Sequence, residues 1–476
     1  MITPRLYSKT KIICTLGPAS NTPEILEQMM RAGMDVARMN FSHGTRDEHL
    51  ARLKLIRSSA KKAEESIAIL QDLQGPKIRV GKLASPSFEL KEGAKITITV
   101  NETLGTQDLI STTYQQFAED VKKGDRILLD DGKLELRAIS SEHPNVVCEV
   151  IQGGLLKPNK GINLPGVSVS APAMTEKDQE DALFGLQNNV DYIALSFVRR
   201  ASDVHNLRKF ILKNGYNTPI IAKIEKPEAI SEIENIIDAA DGIMIARGDL
   251  GVEMPMEQVP VLQKMIAQKT GAKGKLLIVA TQMLETMTEN PFPTRAETND
   301  VANAVLDGAD AVMLSGETSV GKYPVQTVTM MDKIVRKAEE ILPVRDIRTS
   351  DEKFSDINDA IGRASCVLAK KMNASAIVVV TQDGETARKI SSFRPKARIV
   401  AITNNEETLR QLNLIWGVHG FMLHRIPELM MDGFQIIRQT LVEEGFVNRG
   451  EFIIEVSGIP FFTAKYTDTL KVEKVE

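Results

Sequence analysis

The sequence predicts an α/β chain: a parallel (β/α)8 TIM barrel, interrupted after its third strand by a small β-barrel domain and followed by an open α/β domain. Three observations lead there. Short apolar runs alternate with helical patterns eight times in all. Polar and charged residues gather where successive runs end, as on the working face of such a barrel. The two stretches that show the alternation, 1–75 and 169–341, together come to roughly the 250 residues typical of the fold.

The first strand is expected over Lys11–Gly17 and the first helix over Thr22–Gly33, closed by Gly33. Val36–His43 (VARMNFSH) is a second strand on which period-two alternation puts Arg38, Asn40 and Ser42 on one face. An amphipathic helix fits Thr45–Lys62, and Ile67–Leu73 is a third strand carrying Asp72 near its end. From 76 to 168 the pattern turns strand-rich, with alternation in FELKEGAKITITV and ILLDDGKLELRAI and a hairpin signal at Asp131-Gly132. One short helical stretch, Thr113–Lys122, fits there, and NKGINLPG (159–166) is expected to be a Gly/Pro-rich hinge carrying Lys160.

The alternation resumes with strands at Asp191–Phe197, Ile220–Glu225, Gly242–Arg247, Leu276–Thr281 and Ala311–Gly316. A helix is expected over Glu228–Ala239. The open α/β domain occupies 342–476, with strands at Ala376–Thr381, Ile399–Thr403, Gly417–Leu423, Phe452–Ser457 and Thr469–Val475. Helices fit Asp356–Met372, Glu385–Phe393 and Glu428–Gly445, and no internal repeat beyond the βα unit is visible.

Composition narrows the function. The chain is 42% hydrophobic and 26% charged, as a globular protein should be. A net charge of -4, no Lys/Arg tract and 5% aromatic residues argue against nucleic acid as partner. No apolar run reaches the roughly 20 residues of a membrane span. The three cysteines, Cys14, Cys148 and Cys366, match no metal or redox spacing, and the first strand begins too early for a leader to precede it, so a cytoplasmic location is expected.

The stretch Ile220–Gly251 concentrates the chemistry. Lys223 and Glu225 stand two apart at the end of one strand and so share a face; Asp249 follows the next strand, after Arg247-Gly248. Two carboxylates and an ammonium on one rim suit a Mg2+ that also binds substrate, or else ordinary solvated strand ends. With Asn40, Asp72, Ser196, Thr281 and Ser315 at other strand ends, and Arg38 and Arg79 beside them, the set favours a metal-assisted, phosphate-handling site. The glycine in TLGPAS (15–20) offers a close approach to a ligand. Neither a P-loop nor a kinase glycine loop is present, and none of the six histidines shows a catalytic pairing.

These residues lie in segments that resemble the pyruvate kinase family over nearly the whole chain. The segments are TLGPAS, ARMNFSHG (37–44), QDLQGPKIR (71–79), NKGINLPG, SFVRR (196–200), AKIEKPEA (222–229), ARGDLGVE (246–253), ATQMLETM (280–287), the long run NPFPTRAETNDVANAVLDGADAVMLSGETSVGKYP (290–324) and TQDGETA (381–387). The resemblance implies Mg2+-dependent (or Mn2+-dependent) phosphoryl transfer from phosphoenolpyruvate to ADP, giving pyruvate and ATP, by a homotetramer. It implies Glu225 and Asp249 as Mg2+ ligands, and Lys223 as the cation facing the moving phosphoryl group and the enolate. Arg38, Ser196, Gly248, Asp249 and Thr281 would hold the substrate, and Thr281 with Ser315 would order the water that protonates the enolate. Arg79, Lys160, Asn40 and His43 would serve the nucleotide, with 76–168 closing as a lid.

Two departures from the family pattern carry further expectations. Many relatives need K+ and have a glutamate where this chain has Lys77 and a threonine where it has Leu73. The segment here resembles the branch that works without K+, although Asn40, Ser42, Asp72 and the Leu73 carbonyl still outline a monovalent-cation pocket. In the last domain Thr381, Gln382, Gly384 and Thr386 form a hydroxyl-and-amide phosphate cradle beside the acidic Asp383 and Glu385. A sugar monophosphate or AMP is therefore expected as effector over fructose 1,6-bisphosphate. Rival readings are an aldolase or mutase on the same barrel, which would not need Arg79 or Lys160, and a regulatory paralogue, which would have lost Lys223, Glu225 or Asp249.

Overall fold

The barrel closes through eight short strands. β1 (Lys11–Thr15), β2 (Val36–Asn40), β3 (Ala68–Asp72), β4 (Tyr192–Leu195), β5 (Ile220–Ile224), β6 (Gly242–Ala246), β7 (Leu276–Ala280) and β8 (Ala311–Leu314) pair in parallel in chain order, and β8 returns to β1. The computed structural model describes residues 8–342, 357–423, 430–462, 464 and 466–476. The start of the C-terminal domain after Leu342, Asp356 and the first residues of the helix expected over Glu428–Gly445 lie outside them; that helix is described over Met430–Glu443.

The barrel strands are buried on both faces, which explains their continuous apolar sequences. Ile13, Val36, Leu70, Ile221, Met244 and Met313 fill the interior, while Ile12, Ala37, Ile69, Ile193, Ile243 and Val312 pack under the helices. A repeat also emerges that is larger than the βα unit expected from sequence. Asp35, Asp191, Asp241 and Asp310 stand immediately before β2, β4, β6 and β8. Each carboxylate accepts an amide near the start of the preceding strand: Ile12 at 2.8 Å, Ile69 at 2.7 Å, Ile220 at 2.7 Å and Leu277 at 2.8 Å. These are charge-assisted bonds that pin odd strands to even ones at the face away from the site. The signal was present as GMD, NVD, AAD and GAD.

Several expected elements come out shorter or broken; the barrel strands at 11–17, 67–73, 191–197 and 311–316 each lose one to two residues at one or both ends, and three other changes matter more. β2 ends at Asn40, so Ser42 lies in the following turn, where its amide donates to Asn40 Oδ1 (3.1 Å). The helix expected over Glu228–Ala239 is two helices, Pro227–Ser231 and Ile233–Ala239, interrupted at Glu232, and the second buries Ile233, Ile236 and Ile237 against the barrel. The helix expected over Thr113–Lys122 shrinks to Phe117–Asp120, because the amides of Thr112 and Thr113 bond to the carbonyls of Thr99 and Arg79.

The strand-rich insert holds a six-stranded sheet and a two-stranded ribbon around its own core of Ile96, Phe117, Leu129, Leu136 and Val150. The segment 159–166 is not a free hinge. The Lys160 carbonyl accepts from Val80 (2.8 Å), the Ile162 amide donates to Ile78 (2.9 Å), and Ile162–Asn163 pairs with Arg126–Leu129. Lys160 thus belongs to the body of the insert. The return to the barrel follows at Val169–Ala171, whose carbonyls Arg199 grips.

The C-terminal sheet runs β11 (Val418–Met422), β10 (Arg398–Thr403), β9 (Ala376–Val380), β12 (Phe452–Ser457) and β13 (Thr469–Lys474), the last antiparallel. This domain covers the amino-terminal end of the barrel. Lys11 Nζ donates to the Val418 carbonyl (2.9 Å), Tyr192 OH to the Gln411 carbonyl (2.8 Å), and Arg410 pairs with Asp191 (2.8 Å). The opposite end, where the strand-end polar residues collect, faces the insert. Among the described residues no helix is long and apolar enough to cross a membrane.

One buried carboxylate makes a pH prediction for this sheet. Glu455 on β12 is buried, with Arg438 at 3.5 Å and Lys471 at 3.8 Å as its cations among the described residues. Burial pushes it from the ordinary 4.5 to about 7, against Lys471 and Arg438 and with help from Glu473. Its protonated form is favoured by folding, so the stability it lends is full below about pH 4.5 and is lost as pH rises through about 7. Glu455→Gln should therefore melt higher than the parent at pH 8 and close to it at pH 5; equal melting differences at both pH values would contradict this.

Candidate active site

Four charged side chains form a buried chain of alternating sign at the carboxyl ends of β2, β3 and β5. Arg38 binds Asp72 Oδ2 through Nη2 (2.6 Å) and Nε (2.8 Å). Asp72 Oδ1 lies 3.2 Å from Lys223 Nζ, which lies 2.8 Å from Glu225 Oε1. Ser196, just past β4, accepts from Lys223 (2.7 Å) and donates to the Leu73 carbonyl (2.7 Å). Strand periodicity turns Lys223 and Glu225 inward together, and the parallel register sets Asn40 beside Asp72.

The chain keeps its charges unevenly. Burial would raise the Asp72 carboxyl, but Lys223 and Arg38 hold it below the usual carboxylate range. Burial would lower the Lys223 ammonium, and Asp72 and Glu225 hold it well above the ordinary lysine value instead. Glu225 goes the other way: burial raises it, Lys223 opposes, and the nearby negative charge of Asp249 raises it again. The end of the chain at Glu225 and Asp249 is therefore where positive charge is lacking.

Asp249 sits in the first turn of the helix Arg247–Glu253, directly after β6. The Gly248 amide, expected to face a substrate carboxylate, donates to Thr281 Oγ1 (2.7 Å). Thr281 and Gln282 both take left-handed backbone conformations (φ 72° and 55°), and Arg247 braces them by donating to the Thr281 carbonyl (2.8 Å) while pairing with Asp300 (2.7 Å). Such strain persists only where the surroundings impose it. Ser315 follows β8 with its amide on Glu317 Oε2 (2.6 Å), and among the described residues no hydrogen bond joins it to Thr281.

A second group gathers cations. His43, in the turn after β2, is lowered by desolvation and then by Arg79, Lys77 and Arg38 in that order, which places three positive side chains around one point. Arg79 reaches the Asn159 carbonyl (3.0 Å), and Lys160 pairs with Asp130 (2.8 Å). Around the outlined cation pocket, Asn40 Oδ1 and the Leu73 carbonyl already accept from Ser42 and Ser196.

Two residues absent from the sequence reading shape this site. Thr15 Oγ1 accepts from Arg38 Nη1 (2.8 Å) and donates to the Leu314 carbonyl (2.8 Å), fixing the guanidinium across the barrel seam. Buried Glu317 ties the Leu284 and Ser315 amides together. The glycine in TLGPAS was expected to admit a ligand. Instead a Cβ on Gly17 would stand 2.5 Å from the Ser319 carbonyl oxygen, so the glycine admits the backbone of the short helix after β8.

Far from this rim, the Thr381–Thr386 loop closes on itself. The Gly384 amide donates to Thr381 Oγ1 (3.0 Å), the Glu385 amide to Asp383 Oδ1 (3.0 Å), and Thr386 shares a hydroxyl bond with Thr467 (2.6 Å). The Gln382 carbonyl accepts from Thr408 (2.8 Å).

Comparison with known proteins decides what this arrangement belongs to. A family model described as pyruvate kinase, barrel domain, matches residues 7–328, and one described as pyruvate kinase, alpha/beta domain, matches residues 359–473. The chain belongs to the pyruvate kinase family. It is 45% identical to a pyruvate kinase of Geobacillus stearothermophilus over 98% of this chain and 80% of that one. It is 44% identical to pyruvate kinase 2 of Synechocystis, over 100% and 81%. A crystal structure of a pyruvate kinase from Cryptosporidium parvum superposes with a TM-score of 0.93 at 36% identity, covering 98% of this chain and 96% of that one. The protein is thus a phosphotransferase that moves a phosphoryl group between phosphoenolpyruvate and ADP, the last step of glycolysis.

The pyruvate kinase barrel seam at Gly17 gives a stability test. Gly17→Ala should cost about 1–3 kcal/mol, the usual range for an overpacked contact, measured as a lower urea midpoint with unchanged slope. A midpoint equal to the parent's would mean that the Ser319 backbone yields freely.

Proposed function

We propose that Glu225 and Asp249 hold a Mg2+ (or Mn2+) ion and that Lys223, Arg38, Thr281 and Ser315 carry out the transfer. The observation behind this is the Glu225–Asp249 end of the charged chain, where burial first and the charge of Asp249 after it raise Glu225 in spite of Lys223, and a divalent cation would offset both. Their hard oxygen donors suit Mg2+. Among the described residues no group of three or more His, Cys, Asp or Glu ligands converges, which matches an ion completed by substrate and water. When bound, the cation supplies positive charge for the substrate's carboxylate and enol oxygen.

The protein's own residues do the rest. Lys223, held as an ammonium, offsets charge on the phosphoryl group in transit and on the enolate left behind. Arg38 grips the phosphoryl oxygens, and Thr15 keeps its guanidinium in plane. Ser196, Gly248, Asp249 and Thr281 orient the substrate, and Thr281 and Ser315 order the water that protonates the enolate. Arg79, Lys160, Asn40 and His43 serve the nucleotide phosphates, with Asp130 holding Lys160 until they arrive. Residues 76–168 act as a lid that excludes water, 1–75 and 169–341 as the catalytic barrel, and 342–476 as a regulatory domain.

We also read the enzyme as independent of K+, with Lys77 supplying the monovalent charge. The two cations on Asp72 support this, because they leave its carboxylate little need of another. Asn40, Ser42, Asp72 and the Leu73 carbonyl remain the pocket such an ion would use. The Thr381, Gln382, Gly384 and Thr386 loop is read as the effector site, and Asp383 on its helix-start amide favours a sugar monophosphate or AMP over a bisphosphate. A cytoplasmic homotetramer completes the proposal.

A coupled assay of pyruvate formation with Mg2+ in sodium, potassium and tetramethylammonium buffers should give equal rates, and Lys77→Glu should make the rate depend on K+. Manyfold stimulation of the parent by K+ would remove the role of Lys77. Lys223→Met should lower kcat by about 10²–10³-fold, the scale for losing one group that stabilises a transition-state anion, with a smaller change in KM. Calorimetric titration should find AMP or a sugar monophosphate binding more tightly than fructose 1,6-bisphosphate, and Thr386→Glu should abolish that binding; tighter bisphosphate binding would reverse the assignment.

A further inference from the structure

The insert and the barrel segment that leads into it both bear on one buried ion pair beside the carboxylates proposed to hold the metal. Glu253 ends the helix whose first turn carries Asp249. Its Oε1 accepts from Lys226 Nζ (2.5 Å) and from Asn163 Nδ2 (2.9 Å), while Oε2 is buried with no hydrogen-bond partner among the described residues. Lys226 directly follows Glu225, and its ammonium lies 5.8 Å from the centre of the Phe197 ring. The Phe197 amide donates to Glu225 Oε2 (2.8 Å), and a Cβ on Gly75 would come within 2.7 Å of the same ring. Gly75 is the last barrel residue before the insert, and Asn163 lies in the insert's last strand. The insert's hairpin tip reaches this helix too: a Cβ on Gly132 would stand 4.0 Å from Val252 Cγ1.

From this we infer that Glu253 is a positioning residue, a latch through which the insert's position and the geometry of Glu225 and Asp249 become one variable. The inference rests on the reading of 76–168 as a lid and of Glu225 and Asp249 as the metal carboxylates. When the insert swings away, Asn163 leaves and Glu253 is left buried on Lys226 alone, a costly state for a desolvated carboxylate. The helix can respond by shifting Glu253 toward water, which carries Asp249 with it, four residues away on the same short element. Lys226 moves with Glu253, and it is the chain neighbour of Glu225. Closure restores the second donor and returns both carboxylates to place. Nothing in the latch touches substrate, so its effect is on where the metal ligands stand.

The test uses the full chain with nitroxide labels on Lys123→Cys in the insert and Lys209→Cys on the barrel, both exposed; the native Cys14, Cys148 and Cys366 are buried. Asn163→Asp sets a carboxylate against Glu253. It should lengthen the label distance without metal or substrate, and raise the Mg2+ concentration for half-maximal rate about tenfold, the lower end for losing a group that orients a ligand. At saturating Mg2+ the KM for phosphoenolpyruvate should change less. Exchanging the pair, Asn163→Asp with Glu253→Gln, should bring both readouts back toward the parent, since an amide again meets a carboxylate. If Asn163→Asp does not fold, Asn163→Ala should show the same two shifts more weakly. Lost thermal stability with unchanged label distance and unchanged Mg2+ response would overturn the latch alone. An Asp249→Ala enzyme that kept its Mg2+ response would overturn the metal reading, and the coupling with it.

Discussion

The buried chain Arg38–Asp72–Lys223–Glu225 is the constraint on which the site depends. Four charges removed from water are tolerable only when each has an opposite neighbour and hydrogen bonds satisfy what remains. Asp72 has two cations and Ser196, Lys223 has two carboxylates and the same serine, and Arg38 has Asp72 and Thr15. Only the Glu225 end, facing Asp249, is short of positive charge. A chain balanced everywhere but at one end keeps the lysine charged and leaves that end as the place proposed for the cation.

The barrel makes this arrangement affordable by being rigid where the chain is anchored. Arg38, Asp72 and Lys223 stand within the strands β2, β3 and β5 and Glu225 directly after β5, and the aspartates before β2, β4, β6 and β8 lock neighbouring strands at the far end. The C-terminal domain covers that far end through Lys11, Tyr192 and Asp191. Chemistry and stability are thereby kept at opposite faces, as this fold generally keeps them.

Much of the fold and site was legible in the sequence because both rest on short-range rules. Period-two alternation alone puts Lys223 and Glu225 on one face, and strand-ending polar residues mark the rim. Misses occurred where non-local contacts override local preference. Thr113 reads as the start of a helix, but its amide bonds to the carbonyl of Arg79, distant in sequence. The segment 159–166 has hinge composition, yet it is tied into the insert by Val80 and Ile78. Gly17 reads as a ligand-facing glycine and is required instead by the Ser319 backbone. Thr15 lies in the TLGPAS motif, but nothing in the sequence shows that its hydroxyl meets Arg38.

By itself the sequence determined the order of elements, the residue types at each strand end and, through its long motifs, the family. Those properties are set by backbone periodicity and by the identity of side chains, which a linear reading contains. Only the tertiary structure decided which charges pair: that Asp72 is shared between Arg38 and Lys223, that the Gly248 amide turns to Thr281, and that Asn163 of the insert meets Glu253 of the barrel. Pairing depends on distances across strands and domains far apart in the chain, and a distance of that kind exists only once the barrel has closed.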